Sequence, residues 1–513
     1  MSEAAPREQW GTRSGFLLAA IGSAIGLGNI WRFPYVAYDN GGGAFLLPYL
    51  IALLTAGIPL LILEYALGHR YRGSAPLTFR RLHRRAEFLG WWQVGVCLLI
   101  ASYYAVVVAW AGAYTVYAVD GAWGDDPDAF FTGDFLAVAE AGTLGGLRWP
   151  VLLPLVLVWA VALGVLVGGV KRGIERANRV MIPVLVLSFG ALVVRAVTLE
   201  GATLGLDALF TPDWGAMLDS SVWVAAFGQI FFSLSVGFAI MITFASYLPR
   251  DADLTGNAFI AGFANSSFEL LAGIGVFAAL GFLATAAGTA VDEVATEGVG
   301  LAFVVFPAVI SQMPGFNGFF GVLFFGSLVV AGLSSLISII EASVSAVVDK
   351  FALGRRRTVA LVGGGTALVS LLYATAGGVN LLDVVDNFVN LFGVAVVGLV
   401  EVVVVVWLLR QVEPLRRHAD GLSEVPLRRW WVLALTVVTP LLLGLVTLDN
   451  LRAELSAPYS TADGTYPVGF VIGLGWGAAA LALAIGLALT LPAWRRPGVD
   501  LLAPPRRTEE TLT

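Results

Sequence analysis

Apolar runs long enough to cross a bilayer recur along the whole chain, and nothing else narrows its possible folds so far. Twelve can be drawn, at 15–38, 43–69, 89–118, 149–169, 178–198, 222–247, 258–286, 317–348, 358–376, 383–409, 429–447 and 468–491. A helical crossing takes roughly 20 residues, and a mean hydropathy of +0.84 agrees with so many. Hydrocarbon cannot satisfy backbone N–H and C=O groups, so such segments have to be helices. The expected fold class is therefore an all-α integral membrane protein with about 12 transmembrane helices, called spans one to twelve below.

Charge gives the orientation. Arg70, Arg72, Arg80, Arg81, Arg84 and Arg85 follow span two; Lys171, Arg172, Arg176 and Arg179 follow span four; Lys350, Arg355, Arg356 and Arg357 follow span eight. Arg410, Arg416, Arg417, Arg428 and Arg429 surround the loop after span ten. These alternate loops share one side, and the positive-inside rule makes it cytoplasmic together with both termini. The opposite loops are acidic, as in Asp120, Asp125, Asp126, Asp128, Asp134 and Glu140. The net charge of −6 is thus an asymmetry across a membrane. Basic inner loops serve topology and anionic lipid headgroups, and no nucleic-acid partner is expected. No small-residue cleavage site follows the first span, so no removable signal peptide is expected. The lone Cys97 excludes an intrachain disulfide, and His69, His83 and His418 are read as lying in basic loops, which argues against a histidine metal site.

Two spans carry interruptions. Ser23-Ala24-Ile25-Gly26-Leu27-Gly28-Asn29 breaks the first, and Phe232-Ser233-Leu234-Ser235-Val236-Gly237-Phe238 breaks the sixth. Helices can unwind at membrane depth only where the freed backbone lines a cavity or grips a ligand. An unwound turn offers carbonyl oxygens to a hard cation, and the following N–H groups attract a carboxylate. In span eight, Ala331, Ser334, Ser335, Ser338 and Ile339 share one helix face. That stripe serves close helix packing as readily as ligand binding. Asn265 and Glu269, four apart in span seven, share a face, and an intramembrane carboxylate is a functional candidate. No nucleophile–base pair or metal cluster stands out, so no enzyme is expected.

The strings Arg7-Glu8-Gln9-Trp10, Gly22 through Pro34, Asn40 through Phe45, Gly228-Gln229-Ile230-Phe231-Phe232 and Ala331-Gly332-Leu333-Ser334-Ser335 add up to a resemblance. The chain resembles the neurotransmitter:sodium symporter family, most of all its bacterial amino-acid members of the leucine-transporter type. The resemblance runs from the N-terminal tail to span ten. It implies a tail at 1–14, a five-helix repeat at 15–198, a second, inverted repeat at 222–409, two accessory helices at 429–491 and a cytoplasmic tail at 492–513.

The resemblance also implies site residues. One sodium ion would be held by Ala24, Asn29, Ser233 and Asn265 with the substrate carboxylate, and a second by Gly22, Ile25, Ala331, Ser334 and Ser335. Substrate would meet Ala24, Leu27, Gly28 and Tyr104 at its carboxylate, and Phe232, Ser233 and Ser335 near its amine. Ile100, Ser235, Phe238 and Ile339 would line the side-chain pocket. Gly26 stands where monoamine members carry an aspartate, so the substrate should bring its own carboxylate. Glu269 stands where chloride-dependent members have a serine, and its charge would replace chloride. Glu64 is read as a structural hydrogen-bond acceptor. Arg32 with Asp386 would form the outer gate; Arg7, Trp10, Tyr247 and Asp349, with Ser246, the inner one. Gly173 and Pro183 resemble an inner-unwinding motif, with a plain proline-containing helix start as the alternative. The implied function is sodium-coupled uptake of an apolar amino acid through the cell membrane by alternating access, independent of chloride. An amino-acid receptor on the same fold is the alternative, and a homodimer in lipid is a further possibility.

Overall fold

A computed structural model describes residues 7–296, 298–457, 459 and 466–495. The parts of the tails at 1–6 and 496–513 lie outside the described residues. Among the described residues all regular elements are helices, and only two isolated bridges, Gly42 with Pro212 and Leu147 with Thr375, pair extended backbone.

Among the described residues ten helices are long and apolar enough to cross a membrane, and the bent pair Arg13–Ala24 and Gly28–Asp39 makes an eleventh. Its halves meet at 56°. The expected sixth span consists of two short helices, Ser220–Ser233 and Ile240–Ala245. The remaining boundaries fall close to the expected ones, except that span five begins at Val170 and runs to Val197, and span eleven continues to Ser456 rather than ending near 447. Gly173 lies within its wide first turn, Val170–Ile174, and Pro183 lies inside the continuing helix, so this segment is wound.

Local chemistry starts and stops the elements. Thr12 caps span one by accepting from the Gly15 N–H, Asp253 caps span seven through Gly256, and Asp219 caps span six through Ser221. The Ser221 N–H holds the exposed Asp219 carboxyl below its ordinary pKa. Gly288 in the left-handed region ends span seven.

Spans three and eight are the centre of the bundle, with 83% and 72% of their most apolar windows buried. Spans five and twelve, at 28% and 22%, form the periphery. Backbones approach closely where glycine permits it. A Cβ on Gly68 of span two would sit 2.0 Å from the Ile242 carbonyl oxygen, which brings spans two and six together. His69 is not in a loop: it occupies the last turn of span two, buried, with Nδ1 3.0 Å from His418 Nε2. His418 belongs to the helix Val412–Asp420. Two apolar stretches with a basic sequence between them left this contact invisible, because it forms only once span two and that helix pack. Among the described residues no group of three or more His, Cys, Asp or Glu side chains is arranged to hold a metal.

Candidate functional site

The two helix breaks face each other. Span one unwinds at Ile25, whose backbone is extended. Span six turns through Ser235, Gly237 and Ala239, all with positive φ (54°, 84° and 70°). Left-handed backbone at the non-glycine positions costs on the order of 1–3 kcal/mol each, and specific bonds hold it. Ser235 Oγ donates to the Ser23 carbonyl at 2.8 Å, tying one break to the other. Cys97 Sγ donates to the Phe238 carbonyl at 2.9 Å, and the Gly237 N–H donates to Glu64 Oε1 at 2.5 Å.

A cavity of about 570 Å³ opens between the breaks. All eleven residues expected around a substrate line it: Ala24, Leu27, Gly28, Ile100, Tyr104, Phe232, Ser233, Ser235, Phe238, Ser335 and Ile339. At its base the Leu27 N–H reaches Tyr104 Oη at 3.4 Å. A Cβ on Gly26 would stand 3.4 Å from Tyr104 Oη and 3.5 Å from Ser335 Oγ, so no acid occupies that corner.

Two clusters of oxygen atoms flank the cavity. In the first, Asn29 Oδ1 accepts from the Gly26 N–H at 2.9 Å, and Asn29 Nδ2 donates to Asn265 Oδ1 at 2.8 Å. Asn265 Nδ2 in turn donates to Ser233 Oγ at 3.0 Å. Beside them lies Glu269, fully buried, which accepts from Gln229 Nε2 at 2.6 Å and from Tyr49 Oη. In the second, Ser334 Oγ lies 2.6 Å from the Gly22 carbonyl and 2.8 Å from that of Ala331. Ser335 Oγ lies 3.3–3.4 Å from the carbonyls of Gly22, Ser23 and Ile25. One hydroxyl proton serves one acceptor well, so three carbonyls at this longer distance fit the donor set of a hard cation.

The two ends of the cavity differ. On the side of the N-terminal tail, Arg7 spans a closed plug. Its guanidinium pairs with Asp349 at 2.9 Å, donates to Ser246 Oγ at 3.0 Å and lies 4.9 Å over the Tyr247 ring. Burial works against charge on Arg7, yet Asp349 and Tyr247 outweigh it and raise its pKa. Trp10 Nε1 donates to the Phe244 carbonyl at 2.9 Å, and Tyr247 Oη donates to Glu341 at 2.8 Å. Beside the plug, burial first and then Arg250 and Arg7 pull Arg72 down to about 10. On the opposite side Arg32 and Asp386 both line the cavity, and no ion pair joins them among the described residues. Arg32 instead sits 4.8 Å over the Phe232 ring, and Asp386 accepts from Asn390 Nδ2 at 2.9 Å. The cavity continues there past Thr132, Val138, Val299, Asp383 and Tyr466.

A family model described as the sodium:neurotransmitter symporter family matches residues 7–126 and 123–495. The chain belongs to that family. The symporter is 42% identical over 463 residues to an uncharacterized sodium-dependent transporter of Methanocaldococcus jannaschii, covering 90% of this chain and 94% of that one. It is 31% identical over 517 residues to the sodium-dependent serotonin transporter of Drosophila melanogaster, covering 91% and 80%. To the sodium- and chloride-dependent GABA transporter 2 of Bos taurus it is 33% identical over 421 residues, covering 74% and 69%. The chain is thus a sodium-dependent, multi-pass membrane transporter of a small molecule and not an enzyme.

Sequence reasoning overlooked three features of the symporter's site. Glu341 receives both Tyr247 and Arg355, the latter at 2.7 Å, and so belongs to the tail-side plug. Asp383, three residues before Asp386, receives the hydroxyls of Tyr459 and Tyr466, each at 3.0 Å. The short helices Pro127–Ala129 and Phe130–Phe135 bring Phe131 and Thr132 to the cavity wall. The spacing of Asp383 and Asp386 on one helix face was readable beforehand; the loop residues carried no periodic signal.

Proposed function

We propose that the symporter carries an apolar amino acid into the cell with two sodium ions and without chloride. The observation that most supports this is the meeting of both helix breaks at one cavity with an oxygen cluster on either flank. In this reading Asn29, Ser233, Asn265 and the Ala24 carbonyl hold the first sodium as cargo. Gly22, Ile25, Ala331, Ser334 and Ser335 hold the second. The substrate's carboxylate meets the Leu27 and Gly28 N–H groups and Tyr104, and completes the first sodium's shell.

Gly26 supports a substrate that brings this carboxylate, since that corner supplies no acid. The M. jannaschii relative's name gives no substrate, and the serotonin and GABA names describe those relatives alone. Ile100, Phe238 and Ile339, which also line the cavity, favour an apolar side chain. A fixed carboxylate at Glu269, one helical turn from Asn265, supports chloride independence because the negative charge beside the first sodium is built in.

The two unequal ends support alternating access. The closed plug at Arg7 and Asp349 and the unpaired Arg32 and Asp386 support a resting form open on the side away from the tail. The basic loops and both termini are read as cytoplasmic, with repeats at 15–198 and 222–409 exchanging the open end. Two charges crossing 100 mV supply about 4.6 kcal/mol, enough for accumulation on the order of a thousandfold.

The test is uptake of labelled amino acids by proteoliposomes under inward sodium or potassium gradients, with chloride replaced by gluconate. Sodium-driven accumulation that apolar amino acids compete for and gluconate leaves intact is expected. Saturable binding without accumulation, or loss of uptake without chloride, would overturn the corresponding part.

A further inference from the structure

Spans two, three and ten enclose a group of acceptors that neither oxygen cluster uses. Glu64 and Glu401 are both fully buried. Glu64 Oε1 receives the Gly237 N–H at 2.5 Å, and Glu401 Oε2 receives Gln93 Nε2 at 2.6 Å. Among the described residues their second oxygens, Glu64 Oε2 and Glu401 Oε1, have no hydrogen-bond partner, and neither has Gln93 Oε1. Buried acceptors without a donor lose the hydrogen bonds that water would give them, so the group calls for a donor. Among charged groups, Glu401 acts most strongly on Glu64. The other titratable groups that feel Glu64 are Tyr65 of span two and Cys97 of span three, both neutral. Among the described residues no arginine, lysine or histidine side chain bonds to either carboxylate. Two like charges in hydrocarbon with neutral donors alone are not a stable state, and such pairs ionise one at a time.

The location gives this pair a consequence. Gly237 is the left-handed residue at the centre of the break in span six, and its Cα position lies against span ten. A Cβ there would come within 3.2 Å of Gly398 Cα, one helical turn from Glu401. The next residue, Phe238, lines the substrate cavity.

We propose that Glu64 and Glu401 hold one proton between them, a bound proton of the broken span six separate from both cation positions. The proton supplies the donor that the second oxygens lack. It leaves a single negative charge to hold the Gly237 N–H. Loss of the proton would put a second charge where spans two, six and ten meet, and would force the break open.

The measurement is infrared spectroscopy of the purified full-length protein in detergent at neutral pH, before and after exchange into D2O. The expected result is a protonated-carboxyl C=O component that shifts on exchange and persists in Glu269→Gln. Glu64→Gln and Glu401→Gln should each remove that component, and the double variant should remove no more than either single one. Gel filtration identifies any variant that fails to fold. The wild-type spectrum is itself decisive, since absence of a protonated carboxyl at neutral pH overturns the proposal. So does a component untouched by both substitutions, or a double variant that loses twice as much. Sodium in place of the proton would appear as a missing component with sodium-dependent thermal stability.

Discussion

Removing one partner from the Arg7–Asp349 pair tests the tail-side plug quantitatively. The guanidinium meets Asp349 in a 2.9 Å contact in which the carboxylate is 2% exposed and the arginine 17%. In Arg7→Gln, Asp349 keeps the Ser74 N–H at 2.9 Å but loses the Arg7 guanidinium. Breaking a buried pair from one side costs roughly 3–5 kcal/mol. The penalty falls on the closed form alone, because opening rehydrates the carboxylate. Taking the lower figure, since Arg7 touches solvent, the open fraction should rise about a hundredfold at about 1.4 kcal/mol per tenfold. Ala342 is fully buried and shares a helix face with Ser338, Ser345 and Asp349. A cysteine there, in a Cys97→Ser background, reports opening by its rate of thiol modification. That rate should rise with the open fraction. Arg7→Gln/Asp349→Asn removes both charges and should bring it most of the way back. An unchanged rate in the single variant, or a double variant as reactive as the single, would refute the reasoning.

Three further outcomes are expected. Ser233→Ala deletes the acceptor that Asn265 uses at 3.0 Å and an oxygen of the first cluster, so the sodium concentration for half-maximal uptake should rise about tenfold. Glu269→Ser removes the fixed carboxylate, and uptake by that variant should become chloride-dependent in the gluconate comparison. Gly68→Ala forces a Cβ to 2.0 Å from the Ile242 carbonyl, and thermal unfolding in detergent should show a loss of about 1–3 kcal/mol as spans two and six separate.

The class of the molecule was legible in its sequence because a bilayer leaves the backbone almost no choice. Long apolar runs have to be helices, and a polar, glycine-bearing interruption within one needs a compensating partner. Hence the segments, the break at Ser23–Asn29 and the break around Ser235 could be read residue by residue. The stripe of Ala331, Ser334 and Ser335 was legible as a face, though not as a face toward span one. What it touches depends on the bond from Ser334 to the Gly22 carbonyl, across more than three hundred residues of sequence.

Other features belong to the tertiary structure alone. Glu64 and Glu401 lie in separate spans, and only packing around Gly237 and Gly398 brings those spans together. The contact of His69 with His418, the tyrosines on Asp383 and the unpaired state of Arg32 and Asp386 have the same origin. Each depends on the angle and depth at which two helices meet. Within a span those are set by side-chain volume and by where glycine lets backbones touch, as Gly68 does against Ile242. Solvent sets the periodicity and length of a membrane helix, and a sequence records both. The neighbours of a helix are set by the packing of every other helix, and that information exists only when all of them are assembled.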